Sequence, residues 1–123
     1  MKIYKENVVV SLQMEGVHNW PACPYDDVAF LRSPHRHIFH IRAWKEVSHS
    51  DRDIEIIMLK RSIQETLLER YGDNLPGVSM RCLMLGSCSC EMLAKFLIDT
   101  FELSACSVLE DNESGSYTTV TYI

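Results

Sequence analysis

Pro34-His35-Arg36-His37-Ile38-Phe39-His40-Ile41-Arg42-Ala43 is the stretch around which this chain is organised, because it holds three of the five histidines and begins a predicted β-strand. Successive side chains of a strand point to opposite faces, so His35 and His37 should point one way and His40 the other. Two imidazoles on one face, joined by a third, can make a three-ligand metal site. The candidate third ligand is His18, at the end of an earlier predicted strand.

The bulk composition is that of a single domain over residues 1–123, with 46% hydrophobic and 24% charged residues and a net charge of −5. The negative charge disfavours binding to nucleic acid. No apolar run approaches the ~20 residues of a membrane span, and the charged first residues do not resemble a signal peptide. We therefore expect a cytosolic protein without membrane or nucleic-acid partners, whose five cysteines are thiols.

Hydrophobic periodicity predicts an α+β domain in the order ββααββ, with an antiparallel sheet backed by two helices. The apolar run over 81–85 does not distinguish strand from helix, and either Ser87 or Ser89 could cap the second helix. The predicted elements are strands over 6–17 and 37–47, a helix over 55–71, a loop over 72–79, a helix ending near 101, a strand over 106–110, a turn over 111–115 and a closing strand over 116–123.

Five motifs occur in an order that points to a known family. They are Val17-His18-Asn19-Trp20-Pro21, His35-Arg36-His37, Ile54-Glu55-Ile56-Ile57-Met58-Leu59-Lys60, Cys88-Ser89-Cys90-Glu91-Met92-Leu93-Ala94 and Val108-Leu109-Glu110-Asp111. Together they cover nearly the whole chain. By the order of these motifs, the chain resembles the 6-pyruvoyl-tetrahydropterin synthase / 6-carboxytetrahydropterin synthase family.

The resemblance implies the tunnelling fold, in which ββααββ units assemble into an oligomeric barrel. The implied homo-oligomer is a trimer or a hexamer, with sites between subunits. The resemblance also implies that His18, His35 and His37 bind Zn²⁺ and leave a fourth position open for substrate or water. His40, on the other face, is expected to be structural, to support a metal ligand or to lie at an interface, rather than to be a fourth ligand.

The resemblance further implies a substrate pocket for a pterin-like ring. Glu110 would anchor the ring, because one carboxylate can accept two N–H bonds from the 2-amino group and the adjacent ring nitrogen. Ser89 and Glu91 would help to hold it. From the residues alone, Glu110 is an ordinary strand-end carboxylate and Glu91 is a charge that suits the first turn of a helix.

Two departures concern the catalytic residues. The family's cysteine usually lies a few residues before His-x-His, but the segment 28–34 has none, and the family's Asp-His pair would fall near 71–80, which contains no histidine. Cys23 and His49 are the candidate replacements for proton transfer. Their ordinary interpretation is a loop cysteine and a solvated turn residue.

Three functions follow as hypotheses. The first is a zinc-dependent lyase that eliminates triphosphate from dihydroneopterin triphosphate or acts on a related purine or pterin compound. The second is a non-catalytic, zinc-containing binding protein for a pterin or nucleotide-like ligand. The third is a metal-free structural oligomer.

Overall fold

Two long strands, β1 (Glu6–His18) and β2 (His35–Val47), lie at the centre of the fold. The structure is a computed structural model that describes residues 1–74 and 81–123. The strands pair antiparallel along their whole length, and the register places His18 directly opposite His35. The pairing therefore brings the histidine of the first strand to the two histidines that begin the second.

The described residues form a six-stranded sheet in the order β3-β4-β1-β2-β5-β6. The four further strands are β3 (Gly72–Asn74), β4 (Arg81–Gly86), β5 (Ala105–Glu110) and β6 (Ser114–Thr119). Strand β4 runs parallel to β1, whereas the other neighbouring pairs are antiparallel. The prediction of an antiparallel sheet therefore holds for four of the five neighbouring pairs of the described sheet and is wrong for β1 and β4, so the sheet is mixed.

The two helices are α1 (Ile56–Tyr71) and α2 (Cys90–Phe101). Three residues of α1 are buried at helical spacing, and α2 buries a wider stripe, so both helices pack against one face of the sheet. The core side chains with less than 2% exposure include Phe39, Ile41, Ile63, Leu67, Leu83, Leu93, Leu97, Leu103 and Val108. The α+β class is confirmed. The predicted order ββααββ omits two strands, β3 and β4, which lie between the two helices in the sequence.

The helix ends follow local capping chemistry. The carboxylate of Glu55 accepts the backbone N–H groups of Ile57 and Met58 at the start of α1. The hydroxyl of Ser89, and not that of Ser87, accepts the N–H of Met92 at the start of α2. These caps fix where each helix begins, and the cap at Ser89 also fixes the segment that borders the histidines.

The remaining predicted boundaries differ by a few residues. The apolar run of uncertain type is strand β4, because its side chains alternate between the core and the surface. The predicted loop over 72–79 begins instead with β3, and its residues 75–79 lie outside the described residues. The long connection after β1 contains a 3₁₀ helix over Asp26–Arg32. The closing strand begins at Ser114 because the turn is tighter than predicted, and it ends at Thr119, which pairs with the first residue of β5.

Among residues 1–74 and 81–123, no helix is both long enough and apolar enough to cross a membrane.

Candidate metal centre

His18, His35, His37 and Glu110 form a cluster at one end of the central strands. Each residue contributes an atom of a type that binds metal ions, and these atoms all lie within 4.8 Å of one another. His18 ends β1, the other two histidines begin β2, and Glu110 ends β5, which pairs with β2. Strand register thus builds the cluster from residues that are far apart in the sequence.

The three imidazoles are oriented by acceptors on their outer nitrogens. Nδ1 of His18 lies 3.1 Å from the carbonyl oxygen of Cys88, and Nδ1 of His35 lies 2.9 Å from that of Ser33. Nδ1 of His37 lies 2.7 Å from a carboxylate oxygen of Asp111. Because all three partners are acceptors, each Nδ1 carries a proton, and in the neutral imidazole Nε2 then presents its lone pair.

The three Nε2 atoms are buried and have no hydrogen-bond partner among the described residues. Buried polar atoms in proteins are nearly always satisfied, so three unsatisfied atoms in one cluster require an explanation. Three lone pairs and a carboxylate facing one point repel each other unless a cation lies between them. Imidazole nitrogen and carboxylate oxygen are ligands that suit Zn²⁺, so the residues fit the ion that the sequence predicts.

Phe39 forms the floor of the cluster on its core side. Its ring lies edge-to-face with His18 and His37, at centroid distances of 5.2 and 5.9 Å, and it is almost fully buried. The aromatic floor limits how far the two imidazoles can turn. It also keeps water away from the cluster on that side, which strengthens electrostatic interactions with a bound ion.

A pocket of about 460 Å³ opens beside the cluster. This volume lies in the range of pockets that hold small organic molecules. His18, His35 and Glu110 of the cluster line it, and Trp20 and Met92 contribute apolar surface. The pocket residues are His18, Asn19, Trp20, Leu31, His35, Ser87, Cys88, Ser89, Cys90, Glu91, Met92, Glu110, Ser114 and Gly115.

The predicted substrate-binding residues all border this pocket. Glu110 is partly buried, with 28% of its side chain exposed. Ser89 accepts a backbone N–H at the start of α2, so its hydroxyl proton is free to be donated. Glu91 is exposed in the first turn of the same helix, where its charge suits the helix dipole.

The two predicted catalytic residues are not brought to the cluster within the chain. Cys23 is 3% exposed, and its sulfur lies 3.8 Å from the carbonyl oxygen of Tyr25 within the long connection. His49 is exposed beyond the far end of β2, where its Nε2 lies 3.4 Å from Asp53. Neither side chain borders the pocket.

The cysteines of the Cys88-Ser89-Cys90 segment do not belong to the cluster either. Burial raises the pKa of the Cys90 thiol to about 12, and burial also raises the pKa of Cys88. Metal ligation requires the thiolate, so a raised pKa opposes it. His40 lies on the opposite face of β2, as the strand periodicity predicts, and lines a separate groove with Ser11 and Arg42.

Asp111 is the site residue that the sequence did not single out. Its backbone lies in the left-handed region, with φ of 54°, which Asp tolerates better than most residues. The sequence places it in a hairpin turn, and only its position next to Glu110 could have drawn attention to it. The two backbone carbonyl acceptors have no sequence signal.

No protein-family model matches the chain, and no curated protein is significantly similar to it in sequence.

Proposed function

We propose that this protein is a zinc-dependent enzyme similar to the 6-pyruvoyl/6-carboxy-tetrahydropterin synthases. Its substrate would be dihydroneopterin triphosphate or a related purine or pterin compound, and its reaction a carbon–oxygen lyase step that eliminates triphosphate. The observation that carries the proposal is the convergence of three buried, unsatisfied Nε2 atoms, each on a ring whose Nδ1 is held by an acceptor.

The proposed Zn²⁺ ligands are His18, His35 and His37. A bound zinc ion supplies a Lewis acid that can polarise an oxygen of the substrate and make a neighbouring C–H more acidic. The chain's own contribution is to fix the three rings before the ion binds, because each Nδ1 is already held. Little rearrangement is then needed on binding, which favours both affinity and correct geometry.

The pocket beside the cluster suits a flat, polar-edged ring. The carboxylate of Glu110 can accept two N–H bonds from the 2-amino group and ring nitrogen of a pterin or guanine. The exposed face of Trp20 offers a surface for stacking. Ser89 can donate its hydroxyl proton to the ring, and Glu91 can accept a further N–H.

A second candidate function is a zinc-containing binding protein that holds such a ring without turning it over. The observation that favours it is the placement of Cys23 and His49, since neither lies at the cluster within one chain. Within one chain, Glu91 is the pocket carboxylate that remains for proton transfer once Glu110 holds the ring. The two functions share the metal and the ring pocket and differ only in turnover.

We also propose that the protein acts as a cytosolic homo-oligomer, a trimer or a hexamer whose sheets join into a barrel. Strands β3 and β6 are the two edges of the described sheet, and each has one unpaired side. Such edges are templates for pairing with another copy. Sedimentation or light scattering of the purified protein should give a mass that is a multiple of three chains, and a monomer would contradict this part of the proposal.

The experiment that tests the function is incubation of the zinc-loaded protein with dihydroneopterin triphosphate. Release of triphosphate is the expected result, and stoichiometric binding without release would instead establish the binding protein. His37→Ala should abolish metal and activity together. His40→Ala is the matched control, because it removes an imidazole from the opposite face of the same strand, and it should leave both intact.

Glu110→Ala tests the ring pocket separately. At saturating zinc, this variant should fail to bind the pterin ring while the histidines still hold the ion. A protein that neither contains nor takes up metal, and that does not bind a pterin, would contradict both functions and leave the metal-free structural oligomer.

A further inference from the structure

We propose that Glu110 is itself the fourth metal ligand when no ring ligand is bound. This inference rests on the metal of the proposed function and changes one feature of it. In place of an open fourth position, the ligand-free protein would have a closed site of three histidines and one carboxylate. A ring that donates its N–H groups to the Glu110 carboxylate would therefore have to displace this carboxylate from the ion.

The first support is the distance between the donor atoms. Ligands at about 2.0–2.2 Å from a tetrahedral zinc ion lie about 3.3–3.6 Å from one another. Oε2 of Glu110 lies 2.9 Å from Nε2 of His18 and 3.7 Å from Nε2 of His37. The two distances bracket the tetrahedral value, and the same oxygen makes both contacts.

The second support is that the closer contact is not a hydrogen bond. Despite the 2.9 Å separation, Nε2 of His18 has no hydrogen-bond partner among the described residues. Its ring proton is placed on Nδ1 by the carbonyl oxygen of Cys88. In the neutral imidazole, the Nε2 lone pair and a carboxylate oxygen at this distance repel each other, and a metal cation bound to both removes the repulsion.

The third support is the backbone position of Glu110. It ends β5 and pairs with Ser114 across the hairpin, and it lies opposite Phe39, the residue that forms the floor of the cluster. The carboxylate is therefore held on a rigid strand end rather than on a loop. Sites built on strands hold their ligands more precisely than sites on loops.

The test compares the wild type with Glu110→Gln and Glu110→Ala at one fixed pH. Metal-free proteins are titrated with Co²⁺, whose visible absorption reports coordination number and ligand type, and with Zn²⁺ in competition with a coloured chelator. Glu113→Gln is the matched control, because Glu113 is an exposed residue of the same hairpin. The melting temperature of each metal-free protein establishes that the fold is unchanged.

Both Glu110 variants should still bind one metal per chain, with affinity lowered at least about tenfold and with an altered Co²⁺ spectrum. Glu113→Gln should match the wild type in both measurements. A second arm adds pterin to the cobalt-loaded wild type, and its spectrum should move towards that of the variants.

Equal affinity and an unchanged Co²⁺ spectrum in Glu110→Gln and Glu110→Ala would overturn the inference and leave the three-histidine site of the proposed function standing. Lower affinity with an unchanged spectrum would also overturn it, since Glu110 would then act without touching the ion. Failure of the wild type to bind metal would contradict the proposed function itself.

Discussion

The carboxylate of Asp111 contacts both the ring of His37 and the backbone N–H of Ile38, the residue that follows His37. One of its oxygens lies 2.7 Å from Nδ1 of His37, and the other accepts the backbone N–H of Ile38 at 3.0 Å. The N–H of Asp111 in turn donates to the carbonyl oxygen of Ile38 at 2.8 Å. The Ile38 N–H, followed by the His37 ring, lowers the pKa of Asp111, so this carboxylate is ionised over the physiological range. The hairpin after Glu110 is thereby tied to the strand that carries two of the three histidines.

Replacement of Asp111 by Asn should weaken zinc binding about tenfold. Asn tolerates the left-handed backbone at this position. The substitution removes the negative charge, however, and in the wild type that charge both orients His37 and makes its ring a better electron donor to a metal. The dissociation constant for zinc, measured by chelator competition, checks this. Asp99→Asn, an exposed aspartate of α2, is the control and should bind as the wild type does. If Asp111→Asn bound zinc as tightly as the control, the orienting role would be refuted.

Gly16→Ala should disturb both stability and the metal centre. A Cβ at Gly16 would lie 2.8 Å from two ring atoms of Phe39, which is too close for carbon atoms. The ring of Phe39 would have to move. Because this ring contacts His18 and His37, their imidazoles would move with it. We expect a loss of about 1–3 kcal/mol in the free energy of unfolding and weaker zinc binding.

Urea unfolding and zinc titration of Gly16→Ala measure these two effects. The matched control is Gly86→Ala, where no atom of a described residue other than the chain neighbours lies within 4 Å of an added Cβ, but the φ of 60° is unfavourable for Ala. That control should lose stability without losing metal affinity. Unchanged zinc affinity in Gly16→Ala would show that the floor does not position the imidazoles.

The histidine cluster was predictable from the sequence because it depends on two simple regularities. Strand alternation places His35 and His37 on one face, and the antiparallel pairing of β1 with β2 brings His18 opposite His35. The helices were predictable from their apolar spacing, and the cap of α2 was narrowed to Ser87 or Ser89, whereas the cap of α1 at Glu55 was not predicted. These features are local, or they depend on a single pairing.

The residues that orient the imidazoles were not predictable in the same way. Two of the three acceptors are backbone carbonyls, which carry no side-chain signal, and Asp111 has the composition of an ordinary turn residue. The parallel pairing of β4 with β1 was also missed, because a six-residue apolar run does not reveal its partner or its direction. Tertiary contacts decide both features.

Asp53 should make stability depend on pH through its contacts with Ser48. The backbone N–H of Ser48, followed by its hydroxyl, holds the pKa of Asp53 below its ordinary value. A carboxyl with a lowered folded-state pKa stabilises the fold above its unfolded pKa, and this contribution is lost as the pH falls through the folded value. Asp53→Asn should therefore be less stable than the wild type at pH 7, and the difference should shrink as the pH falls from about 5 towards 3.

Urea unfolding at several pH values measures this difference. Asp51→Asn is the control, because Asp51 is exposed and pairs on the surface with Arg52. Its stability should be close to that of the wild type at pH 7. A difference for Asp53→Asn that stayed constant down to pH 3 would show that the ionised carboxylate is not what stabilises this turn.

Cys90 and Cys106 should resist thiol reagents in the native protein. Burial raises the pKa of each to about 12, so at pH 8 both thiols are protonated and poorly nucleophilic. Mass spectrometry after labelling of the native and urea-unfolded protein checks this, and all five cysteines should react after unfolding. Rapid native labelling of either residue would contradict the burial that the structure shows.

The zinc content of the purified wild type tests the central claim most directly. The protein should contain about one zinc ion per chain after dialysis, or take up one per chain from a zinc solution, and the variant His35→Ala should lose it. A wild-type protein that contains no zinc and takes up none would contradict the account.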